Sequence, residues 1–553
     1  MGYRLRVIGL LLLLPIVVAA NDTVYVSGGV HHGSLFPTTD ASEMRSTPRA
    51  GWAKIDHLSN SYVDLTLHYL NDSNKHHFKE LRATTRLELM QWPLPGYDAD
   101  FAGHGIGHLS VAATFDWGEI TVGDVYGEFG SGLILNLYEE RSLGVDGALR
   151  GAKCYVTPYK GIHLTALGGK QRRYWNCYKD GAWGWNYGRD AMLGGDVELR
   201  VDQWSKRMQE LDMTLSIGGS YVSKYEKLDT VIVYMNGIPY MRNFPQWVGA
   251  GAVRAEWQWK GWSLMTEYAY KANDPCLENH YDYRHGTAGF FSLGYSRKGL
   301  SVLLQAKMSD NMAFRSERKR TDIAGRINHM PAFAQQHTYA LAALYPYATN
   351  YAEVEYAFQG EVRYTWARKT KMGGKYGTAM KLSASHIRRL NGWGEVYTDV
   401  NIELNKRISK QWWLNAMLMY QAYNQYATEG HGDMIRSGIA VLDARVQINK
   451  NVSMHGELQY LYTPHYQGQW LFALYEVNLY RNWTLSGQYM YNIGFASEAT
   501  NEHFYTFSAT YTHGAHRLMA GYTKTKEGFN CSGGICRYVP RQEGVTINYS
   551  FAW

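Results

Sequence analysis

From Val545 to the C-terminus the chain alternates without a break: Val545, Ile547, Tyr549, Phe551 and Trp553 stand between Thr546, Asn548, Ser550 and Ala552. A period of two predicts a strand with one apolar and one mostly polar face. The pattern recurs far upstream. Val63, Leu65, Leu67 and Tyr69 oppose Asp64, Thr66 and His68; Leu81, Ala83, Thr85, Leu87 and Leu89 oppose Arg82, Thr84, Arg86 and Glu88. Val197, Leu199 and Val201 oppose Asp196, Glu198, Arg200 and Asp202, while Val400, Ile402 and Leu404 oppose Asp399, Asn401, Glu403 and Asn405. Charges at every second position do not suit the dry interior of a β-sandwich, because burying an unpaired charge is costly. They suit a barrel whose strands turn one face to lipid and the other to a wet lumen.

The connections sort into two alternating classes. Tight ones include Trp117-Gly118, Trp259-Lys260-Gly261, Arg297-Lys298-Gly299, Asn449-Lys450-Asn451, Tyr480-Arg481-Asn482 and His513-Gly514-Ala515. Between them lie long ones, at about 36–58, 91–105, 174–191, 226–246, 272–286, 309–352, 423–434 and 526–543. Short turns on one rim and long loops on the other are the pattern of an outer-membrane barrel. The expectation is an all-β fold: a single transmembrane antiparallel β-barrel of about 24 strands (range 20–26), with both ends on the periplasmic rim. Alternation is weakest at 119–157 and 412–448. Trp257, Trp259, Trp262, Trp412, Trp413, Trp483 and Trp553 border short turns, where an aromatic girdle belongs.

The N-terminus carries Arg4 and Arg6, an apolar run from Val7 to Val18 and small residues at Ala19-Ala20, so residues 1–20 read as a secretory signal peptide and 21–553 as the barrel domain. Mean hydropathy is −0.38 and aromatic content 14%, with 44 Tyr and 18 Trp, which excludes a helical polytopic protein and fits a barrel. The net charge of +7 is too mild over this length to indicate nucleic acid. The expected location is the bacterial outer membrane. Expected partners are outer-membrane lipid, lipopolysaccharide and, during biogenesis, the machinery that inserts barrels; protein partners are not readable. The five cysteines fit an oxidising compartment. Cys531 and Cys536 are spaced for a disulfide, Cys154 and Cys177 form a second candidate pair, and Cys276 is left over.

"QWPLPGYDADF" (91–101), "GDVYGEFGSGLILNLYEERSLGVDGALRGA" (123–152), "KQRRYW" (170–175), "EYAYKANDP" (267–275), "SDNMAFRSER" (309–318), "INHMPAFAQQHTYALAALYPYAT" (327–349) and "GFNCSGGICRYVP" (528–540) resemble a family of large, functionally uncharacterised outer-membrane proteins of the Bacteroidota. The resemblance spans nearly the whole mature chain. It implies a barrel, and no activity or catalytic residues come with it.

Two segments draw functional readings. Gly127-Glu128-Phe129-Gly130-Ser131-Gly132 is followed by Leu133, not the Lys a phosphate-binding loop needs. Instead Gly123, Gly127, Gly130 and Gly132 are expected to let the fifth strand bend inward. Glu139, Glu140, Arg141, Asp146, Arg150 and Lys153 follow as a mixed-sign set. They can pair and fix a loop's shape, or line a constriction that selects solutes by charge. With Arg82, Arg86, Arg172 and Arg173, the first three of the set, Asp146 and Arg150 are the expected lumen lining. The loop 309–352 is too apolar to wave in water; a short helix over Ala332–Leu344 is expected, presenting Phe333, Tyr339, Leu341 and Leu344 for packing, as a cap or a plug.

His31-His32, His76-His77, His104, His108, His329 and His337 lack helical ligand spacing, and no metal or cofactor is expected. There is no Gly-x-Ser-x-Gly elbow, and an enzyme is not expected, though a hydrolase site assembled from several loops would be invisible in sequence. Strand patterning beginning at Val24 disfavours a receptor with an N-terminal plug domain. The function expected is a pore or conduit for solute transport with a loop-constricted lumen. The alternative is a non-conducting surface barrel that binds glycans, through Trp183 and Trp185 of "GAWGWNYG", or acts as an envelope scaffold.

Overall fold

The computed structural model describes residues 22–39, 56–71, 77–90, 92–98, 101–173, 190–227, 230–320, 323–390, 394–496, 498, 500–532 and 535–553. Residues 1–20, Cys177, Trp183 and Trp185 lie outside these.

Twenty-four strands form one antiparallel sheet. The first, Thr23–Pro37, pairs with the second, Leu58–Leu70, and also with the last, Gln542–Ala552, so that Gly29 faces Ala552 and Pro37 faces Gly544. That seam closes the barrel and leaves no free edge. The alternating C-terminal residues thus form the wall strand that locks to the N-terminal one. Most strands run 10 to 15 residues, enough to cross a bilayer at a tilt.

Outward positions are apolar. Leu87, Leu89, Val122, Leu193, Val253, Leu304, Phe358, Leu418, Leu458 and Phe507 are all exposed on the lipid side, and Trp262, Trp412, Trp483 and Trp553 stand exposed near the short-turn rim. Trp413 instead lines the lumen, because neighbouring residues on a strand face opposite ways. Of the weakly alternating stretches, the second is regular, with the strands Trp412–Asn424 and Met434–Gln447, while in the first only Gly118–Val125 and Leu149–Tyr159 are wall strands and 126–148 between them turns inward.

The alternation of short and long connections has exceptions. On the short rim, 201–213 holds the helix Lys206–Glu210 and 367–377 makes a long turn; on the long rim, only 390–393 link Thr378–Arg389 to Gly394–Arg407.

The core lies inside the tube. One contiguous apolar cluster joins Phe129, Leu133, Ile134 and Leu135 to Phe314, Ile327, Met330, Leu341, Tyr345 and Tyr347, all from two connections that fold inward. The wall meets them with Ala250, Ala269, Ala288 and Ala357, whose small side chains let the inner segments approach closely. Over this zone the lumen is packed rather than wet, contrary to what the charged alternation predicts for the whole tube.

Candidate functional site: the plugged lumen

Glycine sets where the fifth strand leaves the wall. Strand Gly118–Val125 stops after eight residues. At Gly123 φ is +115°, and a Cβ would come within 2.2 Å of the Leu109 carbonyl oxygen. At Gly130 φ is +58°, and a Cβ would lie 2.6 Å from Oε1 of Glu267. The Glu267 carboxylate, on the strand Trp262–Lys271, accepts the Ser131 N–H at 2.8 Å. The chain therefore crosses the lumen and lands on a buried acidic group.

Past the crossing, segment 126–148 is clamped by ion pairs. Arg86 Nε donates to Glu88 Oε1 at 2.8 Å, its Nη1 to Glu139 Oε1 at 2.6 Å, and its Nη2 to Asp146 Oδ2 at 2.9 Å. Arg172 Nη2 donates to Glu88 Oε2 at 2.7 Å, and its Nη1 to Asp146. Tyr126 and the Ala148 N–H complete Asp146. Arg141 pairs with Glu139 and Asp64. Burial alone would push the Asp146 carboxyl up, but Arg172 and Arg86 outweigh it and hold its pKa below the usual carboxylate value. Of the expected lining, Arg86, Glu139, Arg141, Asp146 and Arg172 converge here. Glu140 accepts from the Ser142 N–H and Arg82 pairs with Glu119. Arg173 pairs with Glu317, and Arg150 pairs with Asp124 on the strand face opposite Leu149.

Segment 311–354 is held differently. Lys224, Lys271 and Lys307, buried on three wall strands, each donate from Nζ at 2.7 Å to a carbonyl of this segment: Arg315, Ala313 and Pro331 in turn. Lys224 also pairs with Asp274 and Lys307 with Glu355. The wall amide of Gln421 donates to the Tyr345 carbonyl, and Gln459 accepts the Leu341 N–H. The helix expected over Ala332–Leu344 does not form; a turn at Tyr339–Leu344 is its only trace. Wall side chains satisfy backbone groups that a helix would have satisfied internally. Phe333 packs on Phe290 and Leu341 is fully buried.

The two segments meet. Asn136 N–H donates to the Ile327 carbonyl at 2.8 Å, His329 N–H to Gly132 at 2.9 Å, and Asn328 Nδ2 to Leu133 at 3.2 Å. Glu278 grips Arg315 at 2.6 Å and Arg326 at 2.7 Å, and these two outweigh burial to hold its pKa low. Burial drives the His329 pKa down to about 4, with Lys307 and Arg326 adding to the shift. The hairpin Gly528–Ser532/Ile535–Val539, closed by the Cys531–Cys536 disulfide, lies over both: Ile535 packs with Leu143 and Val145, and Gln336 donates to the Cys531 carbonyl. Cys154 and Cys276 carry free thiols.

Two recesses flank the plug toward the short-turn rim. One, about 630 Å³, is lined by His31, Asn60, Tyr62, Arg141 and Arg517. The other, about 650 Å³, is lined by Tyr339, Glu403, Asp443, Arg445, His455 and Glu476. Sequence reading passed over the second group. Its signal is the in-register pairing of neighbouring hairpins, which sets Asp443 opposite Glu457 and His455 opposite Glu476.

A closed 24-stranded barrel with an apolar exterior and a lumen filled by its own loops is an outer-membrane β-barrel. The chain belongs to DUF6029, a family of unknown function whose model matches residues 4–553. No curated protein matches it. Among solved structures it is similar to the copper transporter OprC (11% identity, TM-score 0.40, covering 96% of this chain and 81% of that one). It is also similar to the siderophore receptor PirA from Pseudomonas aeruginosa (8%, 0.42, 96% and 80%) and to OccAB3 from Acinetobacter baumannii (7%, 0.34, 97% and 100%). These likenesses are of barrel shape, and no functional argument rests on them.

Proposed function

We propose that this barrel is a solute conduit held in a closed state by its own loops. One observation carries the reading: the apolar plug ends partway down the tube, and below it open recesses that carry charged side chains, Arg141 and Arg517 in one and Glu403, Asp443, Arg445 and Glu476 in the other. A tube serving only as a scaffold has no need of charged lumen walls beneath its core. Its work is passage past charged and aromatic lumen groups, without bond-making. Planar-bilayer recordings test it: the intact protein should be silent or conduct in rare bursts, and replacing 327–350 with a short Gly-Ser linker should give steady openings. If neither conducts, the scaffold reading replaces it.

That second reading has its own support. The hairpin Thr230–Met235/Ile238–Asn243 stands on the long-loop rim with Ile232, Tyr234, Ile238, Tyr240 and Met241 exposed, an apolar surface suited to contact. A glycan array with Trp183→Ala and Trp185→Ala as controls would test glycan binding.

A further inference from the structure

We propose that the recess beneath Tyr339 binds a divalent transition-metal ion through Asp443, His455 and Glu457. These residues sit on the adjacent strands Met434–Gln447 and Val452–Tyr462, all facing the lumen, with Asp443 directly opposite Glu457 and His455 two residues before it. One ligand atom from each lies within 4.8 Å of the others, inside the span of a single coordination sphere.

The surroundings are those of a metal-ligating imidazole. Nδ1 of His455 is 2.9 Å from Glu476 Oε2, the carboxylate–histidine arrangement that fixes the tautomer and leaves Nε2 to ligate. Nε2 is 2.9 Å from Asp443 Oδ1. An incoming ion displaces the proton shared between those two atoms to solvent and takes both as ligands. The Tyr339 hydroxyl donates to Asp443 Oδ2 at 3.2 Å, and Gln459 donates to Glu457, so both carboxylates are oriented.

A separate observation points into the same recess. Asn415 lines it, stands directly opposite Asp443 and is 8% exposed, yet its Oδ1 has no hydrogen-bond partner. A buried acceptor without a donor calls for one, and a metal-bound water or the ion itself supplies it. Among the described residues, Asp443, Glu457 and Glu476, with Glu403 on the same recess, outnumber the basic Arg445 and His455, so the site attracts cations. One imidazole and two carboxylates suit Zn²⁺, Mn²⁺, Fe²⁺, Co²⁺ or Ni²⁺, not Cu⁺, which wants sulfur, nor Ca²⁺, which wants six to eight oxygens.

The inference stands whether or not the lumen conducts. Isothermal titration of the full-length protein in detergent micelles, with Zn²⁺ and with Mn²⁺, should show one saturable site per chain. His455→Ala should abolish it, and Glu476→Gln, which keeps every ligand but removes the negative charge of the orienting carboxylate, should weaken it about 10–100-fold. Heat-modifiable migration on gels confirms that each variant is folded. No saturable binding by the wild type, or wild-type affinity in folded His455→Ala, overturns the proposal; so does unchanged affinity in both variants, which would place the ion on other histidines.

Discussion

Two segments fill this barrel, and they are fastened in opposite ways. Segment 126–148 is held through its side chains: Glu139 and Asp146 lock into Arg86 and Arg172, which Glu88 braces, and Arg141 locks into Asp64. Segment 311–354 has arginine ion pairs near its start, Arg315 and Arg326 with Glu278 and Arg318 with Glu226, but is otherwise held largely through its backbone, by lysines and glutamines that reach in from the wall. A charge clamp fails when one partner goes, because the others are left buried and uncompensated. A set of separate carbonyl contacts fails piecemeal. The first segment should come free all at once, and the second should loosen locally.

The largest expected effect is therefore Arg86→Ala, which takes one of two arginine partners from each of Glu88, Glu139 and Asp146. It should cost about 3–5 kcal/mol in denaturant unfolding and raise amide exchange across 138–146 together. Loss of less than about 1 kcal/mol would mean the clamp is not a unit.

Acidification separates the two fastenings next. The folded pKa of His329 lies near 4, below its ordinary value of 6.5, so its contribution is complete above 6.5 and is lost as pH falls toward 4. At about 1.4 kcal/mol per pKa unit this reaches roughly 3 kcal/mol. Asp146 and Glu278 are depressed carboxylates, whose contribution is present above their ordinary value near 4 and fades only below it. Between pH 6.5 and 4.5, exchange at the 132–136/327–329 junction should rise while the clamp holds, and His329→Gln should remove that dependence.

A smaller effect is expected from Lys271→Met. It removes one donor from the Ala313 carbonyl, at a cost of about 1–3 kcal/mol, with exchange rising around 311–316 only. The smallest belongs to Arg82→Ala. Its pair with Glu119 is more than a third exposed on both sides and should be worth about 0.2–1 kcal/mol.

Much of the wall was legible because each strand's pattern is local. The period of two, the parity of turns and the inward glycines Gly123 and Gly130 each depend on a few neighbouring residues. The plug was only half legible. The charges at 139–146 announce pairing, but their partner Arg86 is more than fifty residues away and the pairing becomes visible only once the strands are in register. The helix read over Ala332–Leu344 is a sound local inference overruled by distant strands: Gln459 takes its Leu341 N–H, and Lys307 and Gln421 hold the flanking carbonyls of Pro331 and Tyr345. The group at Asp443, His455 and Glu457 hides for the same reason: its spacing belongs to a paired sheet, not to a linear motif.

The lysine-to-carbonyl fastening also bears on how such a chain can change over generations. Lys224, Lys271 and Lys307 grip carbonyls that every amino acid provides, so they are indifferent to the side chains of the segment they hold. Residues of that segment pointing toward the recess are free to diversify without losing their mooring. A single wall could then carry many different inner surfaces, much as a fixed frame accepts interchangeable inserts.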